Sequence, residues 1–123
     1  MTAAMGTLVR VCALEDLTED LGVAALIDGV QIALFRLADG QVYAVQNLDP
    51  FSDAYVMSRG ITGSKGGQAT IASPIYKQVF ALATGECLAT MDKDVKVPGG
   101  PNLATYPVTV DDGGVFVSVP VVA

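Results

Sequence analysis

Short β-rich runs separated by Asp-Gly pairs fill the first part of the sequence. Four such runs are Leu8–Cys12, Val23–Ile27, Val30–Arg36 and Gln41–Gln46. Asp28-Gly29 stands between the second and third runs, and Asp39-Gly40 stands between the third and fourth. Asp-Gly pairs suit tight hairpin turns because both residues tolerate positive φ. The pattern therefore predicts a meander of short antiparallel strands.

The rest of the sequence continues this pattern. Further strands are predicted over Ile61–Gly67, Gln68–Ala72, Lys77–Leu82 and Cys87–Ala89, with a turn at Ala83-Thr84-Gly85. Asp16–Leu21 and Asp53–Ser58 favour local helical winding, but neither carries an apolar stripe at helical spacing. Leu88–Asn102 contains charges and Pro98-Gly99-Gly100-Pro101, which predicts a long surface loop. We expect an all-β fold in which residues 1–123 form a single domain.

The charge balance argues against a nucleic-acid partner. The net charge is −6, and the seven Lys and Arg residues are scattered along the sequence. Phosphates would require a basic track, so no nucleic acid is expected to bind. The hydrophobic fraction of 51% is high for a small domain. It fits either an Ala- and Val-rich core or a surface that a partner covers.

No targeting feature is evident in the sequence. Residues 1–6 lack a basic start followed by an apolar stretch, so we expect no signal peptide. No apolar run approaches the length of a membrane span, and no membrane association is expected. Cys12 and Cys87 form no Cys-X-X-Cys motif, which favours reduced thiols in a cytoplasmic protein. Their sequence separation leaves a disulfide open.

Catalytic constellations are weak in this sequence. Histidine is absent, which leaves Ser73 without a base to activate it. Asp49 and Asp53 are interpreted as part of a solvated loop, with Asp49 as a turn or capping residue, rather than as a catalytic pair. The glycines at 60, 63, 66 and 67 follow no phosphate-binding spacing and predict a hairpin turn. We assign no catalytic residue and no metal ligand, although carboxylates bind hard cations weakly.

Two segments resemble the loops that hold a Rieske [2Fe–2S] cluster: Asn47–Phe51, and Ser73–Phe80 followed by Thr84-Gly85. Val42–Asn47 resembles the strand that enters the first of these loops. The stretch from Leu103 to Val117 resembles the closing hairpin of such domains. The resemblance covers nearly the whole chain and implies a Rieske-like fold of stacked antiparallel sheets.

The ligands of such a cluster are replaced in this sequence. A Rieske centre uses two thiolates and two imidazoles, usually supplied as Cys-X-His and Cys-X-X-His. Asp49 and Phe51 stand at the first pair of positions, and Ser73 and Tyr76 stand at the second. Because the sequence contains no histidine, we expect no Rieske cluster on this chain.

Among clusterless relatives, the sequence resembles the small subunit of assimilatory NAD(P)H nitrite reductase. The matching segments are Asn47–Phe51, Ser58-Arg59-Gly60 and Ala72–Gln78. The family implies a non-catalytic subunit bound to a large catalytic subunit that carries FAD, sirohaem and an iron–sulfur cluster. The complex would reduce nitrite to ammonium in nitrate and nitrite assimilation. This chain would carry no cofactor of its own.

The four replaced positions suggest how the loops are held without metal. Phe51 and Tyr76 are bulky enough to pack where the imidazoles would be. Asp49 and Ser73 are expected to hydrogen-bond to loop amides in place of the thiolate bonds. Two interpretations stay open: these residues only fill space, or Phe51, Tyr55, Tyr76 and Lys77 also form a partner-docking surface.

Three hypotheses therefore remain at this point. The first is the small subunit of a cytoplasmic NAD(P)H nitrite reductase. The second is an enzyme in its own right that uses the emptied cluster site. The third is a free-standing adaptor or regulatory module derived from a ferredoxin, with another oxidoreductase as its partner.

Overall fold

The structure, a computed structural model, describes residues 7–119. Within them no α-helix occurs, and two single 3₁₀ turns form at Leu14–Asp16 and Met57–Arg59. The strands are β1 (Thr7–Ala13), β2 (Val23–Ile27), β3 (Val30–Arg36), β4 (Val42–Gln46), β5 (Leu48–Asp49), β6 (Ala54–Tyr55), β7 (Ile61–Lys65), β8 (Gln68–Ala72), β9 (Val79–Ala81), β10 (Cys87–Ala89), β11 (Thr105–Tyr106), β12 (Val108–Asp111) and β13 (Gly114–Val119). The prediction of an all-β fold is confirmed.

The strands form three main antiparallel sheets and one small ribbon. The middle sheet has the order β11-β4-β3-β2, and the terminal sheet has the order β1-β13-β12. The loop sheet has the order β10-β9-β8-β7, and β5 pairs with β6 alone. β1 and β13 lie near the two ends of the described chain, and their pairing joins those ends.

The middle sheet separates two hydrophobic cores. Successive residues of a strand point to opposite faces. Ala33 and Phe35 of β3 therefore belong to a loop-side core, together with Phe51, Phe80 and neighbouring residues. Ile32 and Leu34 belong to a second core that faces the terminal sheet. β3 is consequently buried on both faces, which explains its nearly continuous apolar sequence.

Several predicted strands have the observed bounds, and the differences have local causes. Val23–Ile27, Val30–Arg36, Gln68–Ala72 and Cys87–Ala89 are confirmed as predicted. The predicted strand Lys77–Leu82 is shorter because Lys77 adopts φ 64°. Pro107 lies between β11 and β12 and interrupts the predicted closing hairpin, since proline cannot donate to the ladder.

Both predicted regions of local winding are displaced along the chain. Winding occurs at Leu14–Asp16 rather than over Asp16–Leu21. The Asp16 side chain accepts a hydrogen bond from the Ala13 amide, and Asp20 adopts φ 62°, which is incompatible with a helix. Residues 54 and 55 form β6, so the second 3₁₀ turn is confined to residues 57–59. No helix within residues 7–119 has the length and apolarity needed to cross a membrane.

Gly85 ties the turn after β9 to the start of the closing strands. Its amide donates to the Ala81 carbonyl at 2.7 Å, and its carbonyl accepts from the Leu103 amide at 2.8 Å. Gly85 is buried and has φ +78°, and a Cβ built on it would collide with the Leu103 carbonyl oxygen. Only glycine satisfies both the backbone angle and the close approach.

We expect Gly85→Ala to destabilise the domain by about 3 kcal/mol or more, because the collision adds to the cost of a left-handed alanine. Gly113→Ala is the matched control, since Gly113 has φ +74° and open space around its missing Cβ. That control should cost only about 1–2 kcal/mol. Urea denaturation of both variants measures the difference, and equal midpoints would contradict the prediction.

Candidate functional site

The candidate site lies where two loops meet at one end of the loop-side core. The first loop, residues 47–58, follows β4, and the second loop, residues 73–78, connects β8 to β9. Backbone hydrogen bonds close each loop on itself: the Met57 amide donates to the Asn47 carbonyl at 3.0 Å, and the Ser73 amide donates to the Gln78 carbonyl at 2.9 Å. We call the region where the two loops meet the tip.

A direct hydrogen bond between Asp49 and Ser73 joins the two loops. The Ser73 hydroxyl donates to Asp49 Oδ2 at 2.6 Å, and both side chains are buried. The same carboxyl group accepts from the Phe51 amide at 2.9 Å and from the Ser52 hydroxyl at 2.9 Å. Ser73 Oγ in turn accepts from the Ile75 amide at 3.3 Å. The expected bonds to loop amides are therefore present, and the link between the loops adds to them.

Asn47 holds the first loop in place from within, a role that the sequence analysis missed. Its side chain is 2% exposed, and its Oδ1 accepts from the Ser58 amide at 2.8 Å. Its Nδ2 donates to Gln31 Oε1 and to the Tyr55 carbonyl, both at 3.3 Å. An asparagine at a strand-to-loop junction often hydrogen-bonds to nearby backbone groups. The position of Asn47 in the sequence was therefore the signal that could have predicted this role.

The two aromatic residues at the tip have different environments. Phe51 is 1% exposed, and its ring lies 6.2 Å from that of Phe80, tilted by 48°. Tyr76 is 37% exposed, and Lys93 Nζ lies 4.7 Å from its ring centroid. Phe51 therefore belongs to the core. The ring packs as expected, and so little of it is exposed that we leave Phe51 out of the docking surface.

The other predicted docking residues do not all gather in one place. Tyr76 and Lys77 lie together on the second loop and are exposed. Tyr55 is also exposed, but it lines a different cavity of about 350 Å³, beside Tyr106 and Gly99. Tyr76 instead lines a hollow of about 240 Å³ with Phe51, Lys93 and Lys96. The tip thus retains Tyr76 and Lys77 from the predicted set.

A third segment, Thr90–Lys96, packs against both loops. The Lys96 amide donates to the Pro50 carbonyl at 2.8 Å. The buried side chain of Gln78 donates to the Thr90 carbonyl at 3.3 Å. This stretch lies inside the predicted surface loop Leu88–Asn102. It is free of regular structure as expected, but its contact with the tip was not predicted.

The two cysteines are free and lie against different cores. Cys87 packs against the loop-side core and Cys12 against the second core. Burial raises the pKa of the Cys87 thiol, and the nearby carboxyl groups of Asp49 and Glu86 raise it further. Burial and then Asp16 likewise raise the pKa of Cys12. Both thiols therefore stay protonated at neutral pH, which makes them poor nucleophiles and poor metal ligands.

The side chains of the four residues expected at the ligand positions do not fit a [2Fe–2S] cluster. Asp49 and Ser73 supply oxygen where the cluster needs sulfur, and both are already engaged with protein hydrogen-bond partners. Phe51 and Tyr76 carry no nitrogen ligand, and the Phe51 ring is held in the core. Within residues 7–119, no three His, Cys, Asp or Glu side chains are grouped to hold a metal ion.

The three antiparallel sheets and the two-loop tip define a Rieske-like domain. Residues 7–118 match the family described as the Rieske-like [2Fe-2S] domain, and the chain belongs to this family. Within it, the chain is a homologue of nitrite reductase small subunits. It is 40% identical over 88 residues to the nitrite reductase (NADH) small subunit of Salmonella typhimurium, a match that covers 71% of this chain and 82% of that subunit.

A solved structure and a longer protein support the same relationship. A crystal structure assigned as an NADH-dependent nitrite reductase small subunit of Mycobacterium tuberculosis superposes with a TM-score of 0.82 at 46% identity. The match covers 95% of this chain and 98% of the other. The chain is also 39% identical over 107 residues to the nitrite reductase [NAD(P)H] large subunit of Klebsiella oxytoca. That match covers 87% of this chain but only 10% of the large subunit.

We expect Ser73→Ala to destabilise the domain by about 1–3 kcal/mol, because a buried carboxyl oxygen loses a donor that water cannot replace. In a double-mutant cycle with Asp49→Asn, the two positions should couple by about 0.5–3 kcal/mol. Urea denaturation provides the measurement. Ser64→Ala, at an exposed serine of β7, is the control and should change stability by less than about 0.5 kcal/mol. A Ser73→Ala variant as stable as this control would count against the link.

Proposed function

We propose that this chain is the non-catalytic small subunit of a cytoplasmic NAD(P)H-dependent nitrite reductase, the enzyme that reduces nitrite to ammonium in nitrate and nitrite assimilation. Residues 1–123 act in it as one Rieske-like domain that docks to the large catalytic subunit and supports it. The similarity to small subunits favours this function over a free-standing ferredoxin-derived adaptor.

The single observation that carries the proposal is the buried hydrogen bond between Asp49 and Ser73. It joins the two loops at 2.6 Å with side chains that cannot supply thiolate or imidazole. A tip closed in this way has a structural role and lacks the ligands for electron transfer through a Rieske cluster. We therefore assign FAD, sirohaem and the iron–sulfur cluster of the enzyme to the large subunit.

Docking to a large subunit is supported by the two forms in which sequences similar to this chain are found in relatives. This chain matches a separate small subunit in Salmonella typhimurium and a stretch of the large subunit in Klebsiella oxytoca. A module that is covalently attached in one protein is held close to the rest of it, at high effective concentration. In the separate form, a docking surface takes over that role, and on this chain we place Tyr76 and Lys77 in it.

The first expected outcome concerns metal content. Chain purified under anaerobic conditions should be colourless and should contain no stoichiometric iron or sulfide, because Asp49, Phe51, Ser73 and Tyr76 provide no cluster ligands. Metal analysis and electron paramagnetic resonance spectroscopy provide the measurement. A Rieske-type signal with two irons per chain would overturn the assignment of cofactors to the large subunit.

The second expected outcome concerns activity. The isolated chain should neither reduce nitrite nor oxidise NAD(P)H, because we assign no catalytic residue to it. Added to a sirohaem-containing large subunit, it should raise that subunit's activity or its thermal stability. A rise in stability follows because a ligand that binds only the folded state shifts the unfolding equilibrium. Turnover by the isolated chain, or the lack of a complex at micromolar concentration, would refute the proposed function.

A further inference from the structure

Exposed apolar side chains from two segments flank the tip. Ile75 and Tyr76 of the second loop are 43% and 37% exposed, and Met91 of the third segment is 51% exposed. Lys93 of the third segment stacks on the Tyr76 ring, so the two segments share one surface. Tyrosine and methionine are enriched at the centres of protein interfaces. This apolar group therefore has the composition of an interface centre.

Lysines surround this apolar group on an otherwise acidic chain. Lys77, Lys93 and Lys96 are three of only seven basic residues in the sequence. Lys93 and Lys96 line the hollow beside Tyr76, together with Asp92 and Asp94. The chain as a whole carries thirteen acidic and seven basic residues, whereas at the tip the three lysines outnumber Asp92 and Asp94. We call Ile75, Tyr76, Lys77, Met91, Lys93 and Lys96 the tip surface.

The third segment is held in a defined conformation before any partner binds. Met91 and Asp92 both adopt left-handed backbone angles, with φ 55° and 58°. Such angles are costly for residues other than glycine. The bonds from Lys96 to Pro50 and from Gln78 to Thr90 fix the two ends of the segment. A surface fixed in this way loses little conformational entropy on binding.

We propose that the tip surface binds an acidic protein surface with an apolar centre, and that the third segment supplies half of the contact. The inference rests on the proposed function, in which that surface belongs to the large subunit. At physiological salt the Debye length is about 8 Å, so distant acidic residues of this chain are screened. Among the charges close to the tip, Lys77, Lys93 and Lys96 outnumber Asp92 and Asp94, and this local excess favours an acidic partner surface.

The decisive experiment measures affinity of the full chain for the purified large subunit by titration at several salt concentrations. Lys96→Glu should weaken binding about tenfold and reduce its salt dependence, because a contact with an acidic surface becomes a repulsion. The backbone bond from residue 96 to Pro50 does not involve the side chain, so the fold is retained. Lys65→Glu makes the same charge change at an exposed position on β7, and it should leave the affinity unchanged.

A second pair of variants tests the apolar centre. Met91→Ser should weaken binding about tenfold, in the range of interface hot spots. Leu26→Ser is its control, since Leu26 is 71% exposed on β2. Melting temperatures should stay within about 2 °C of the parent for all four variants, because each replaced side chain is exposed. Thermal denaturation of each free variant provides this control. If the melting temperature is unchanged, a loss of affinity reflects lost contacts with the partner and not unfolding of the chain.

The outcomes separate this inference from the function on which it rests. If the parent chain does not bind the large subunit, the proposed function fails. If the parent binds but the tip variants bind as well as their controls, the docking role of the tip surface is refuted. Sedimentation of the chain alone tests whether a second copy of this chain binds to the tip surface. A dimer that Lys96→Glu dissociates would also overturn the inference.

Discussion

The hydrogen bond from Ser73 to Asp49 is the contact on which the tip depends. A carboxyl group with no exposed surface loses its hydration and is unfavourable unless protein donors replace the water. Asp49 receives three such donors, two from its own loop and one from the second loop. Loss of the donor from the second loop would leave Oδ2 with the Ser52 hydroxyl as its one donor and would remove the direct bond between the loops. Asp49 and Ser73, which the sequence analysis expects at the thiolate positions of a Rieske centre, therefore restrain both loops through this hydrogen bond.

The middle sheet supports the tip from below. Its two central strands, β3 and β4, contribute residues to both cores and are therefore held from both faces. Phe51 reaches into the loop-side core and packs against Phe80, which connects the first loop to the loop sheet. Packing of this kind places the Asp49 carboxyl group within reach of Ser73, and the hydrogen bond then fixes their relative position.

Much of the fold follows from local sequence, while the division of the tip into core and surface does not. The Asp-Gly turns and the alternating strands were predictable because backbone angles and side-chain period are local properties. Whether an aromatic ring is buried depends on residues distant in sequence, and for that reason the sequence left open whether Phe51 only fills space or also docks. The role of the third segment was missed because its contacts with Pro50 and Gln78 are long-range and leave no motif.

The attachment of the third segment has a consequence for how such proteins can diverge. Its two hydrogen bonds to the loops use the Lys96 amide and the Thr90 carbonyl, which are backbone groups. Almost any residue except proline at position 96 provides them. Side chains between these anchors can therefore change without moving the segment. In the proposed docking role, substitutions in this segment would change which partner surface is bound while the fold beneath it stays the same.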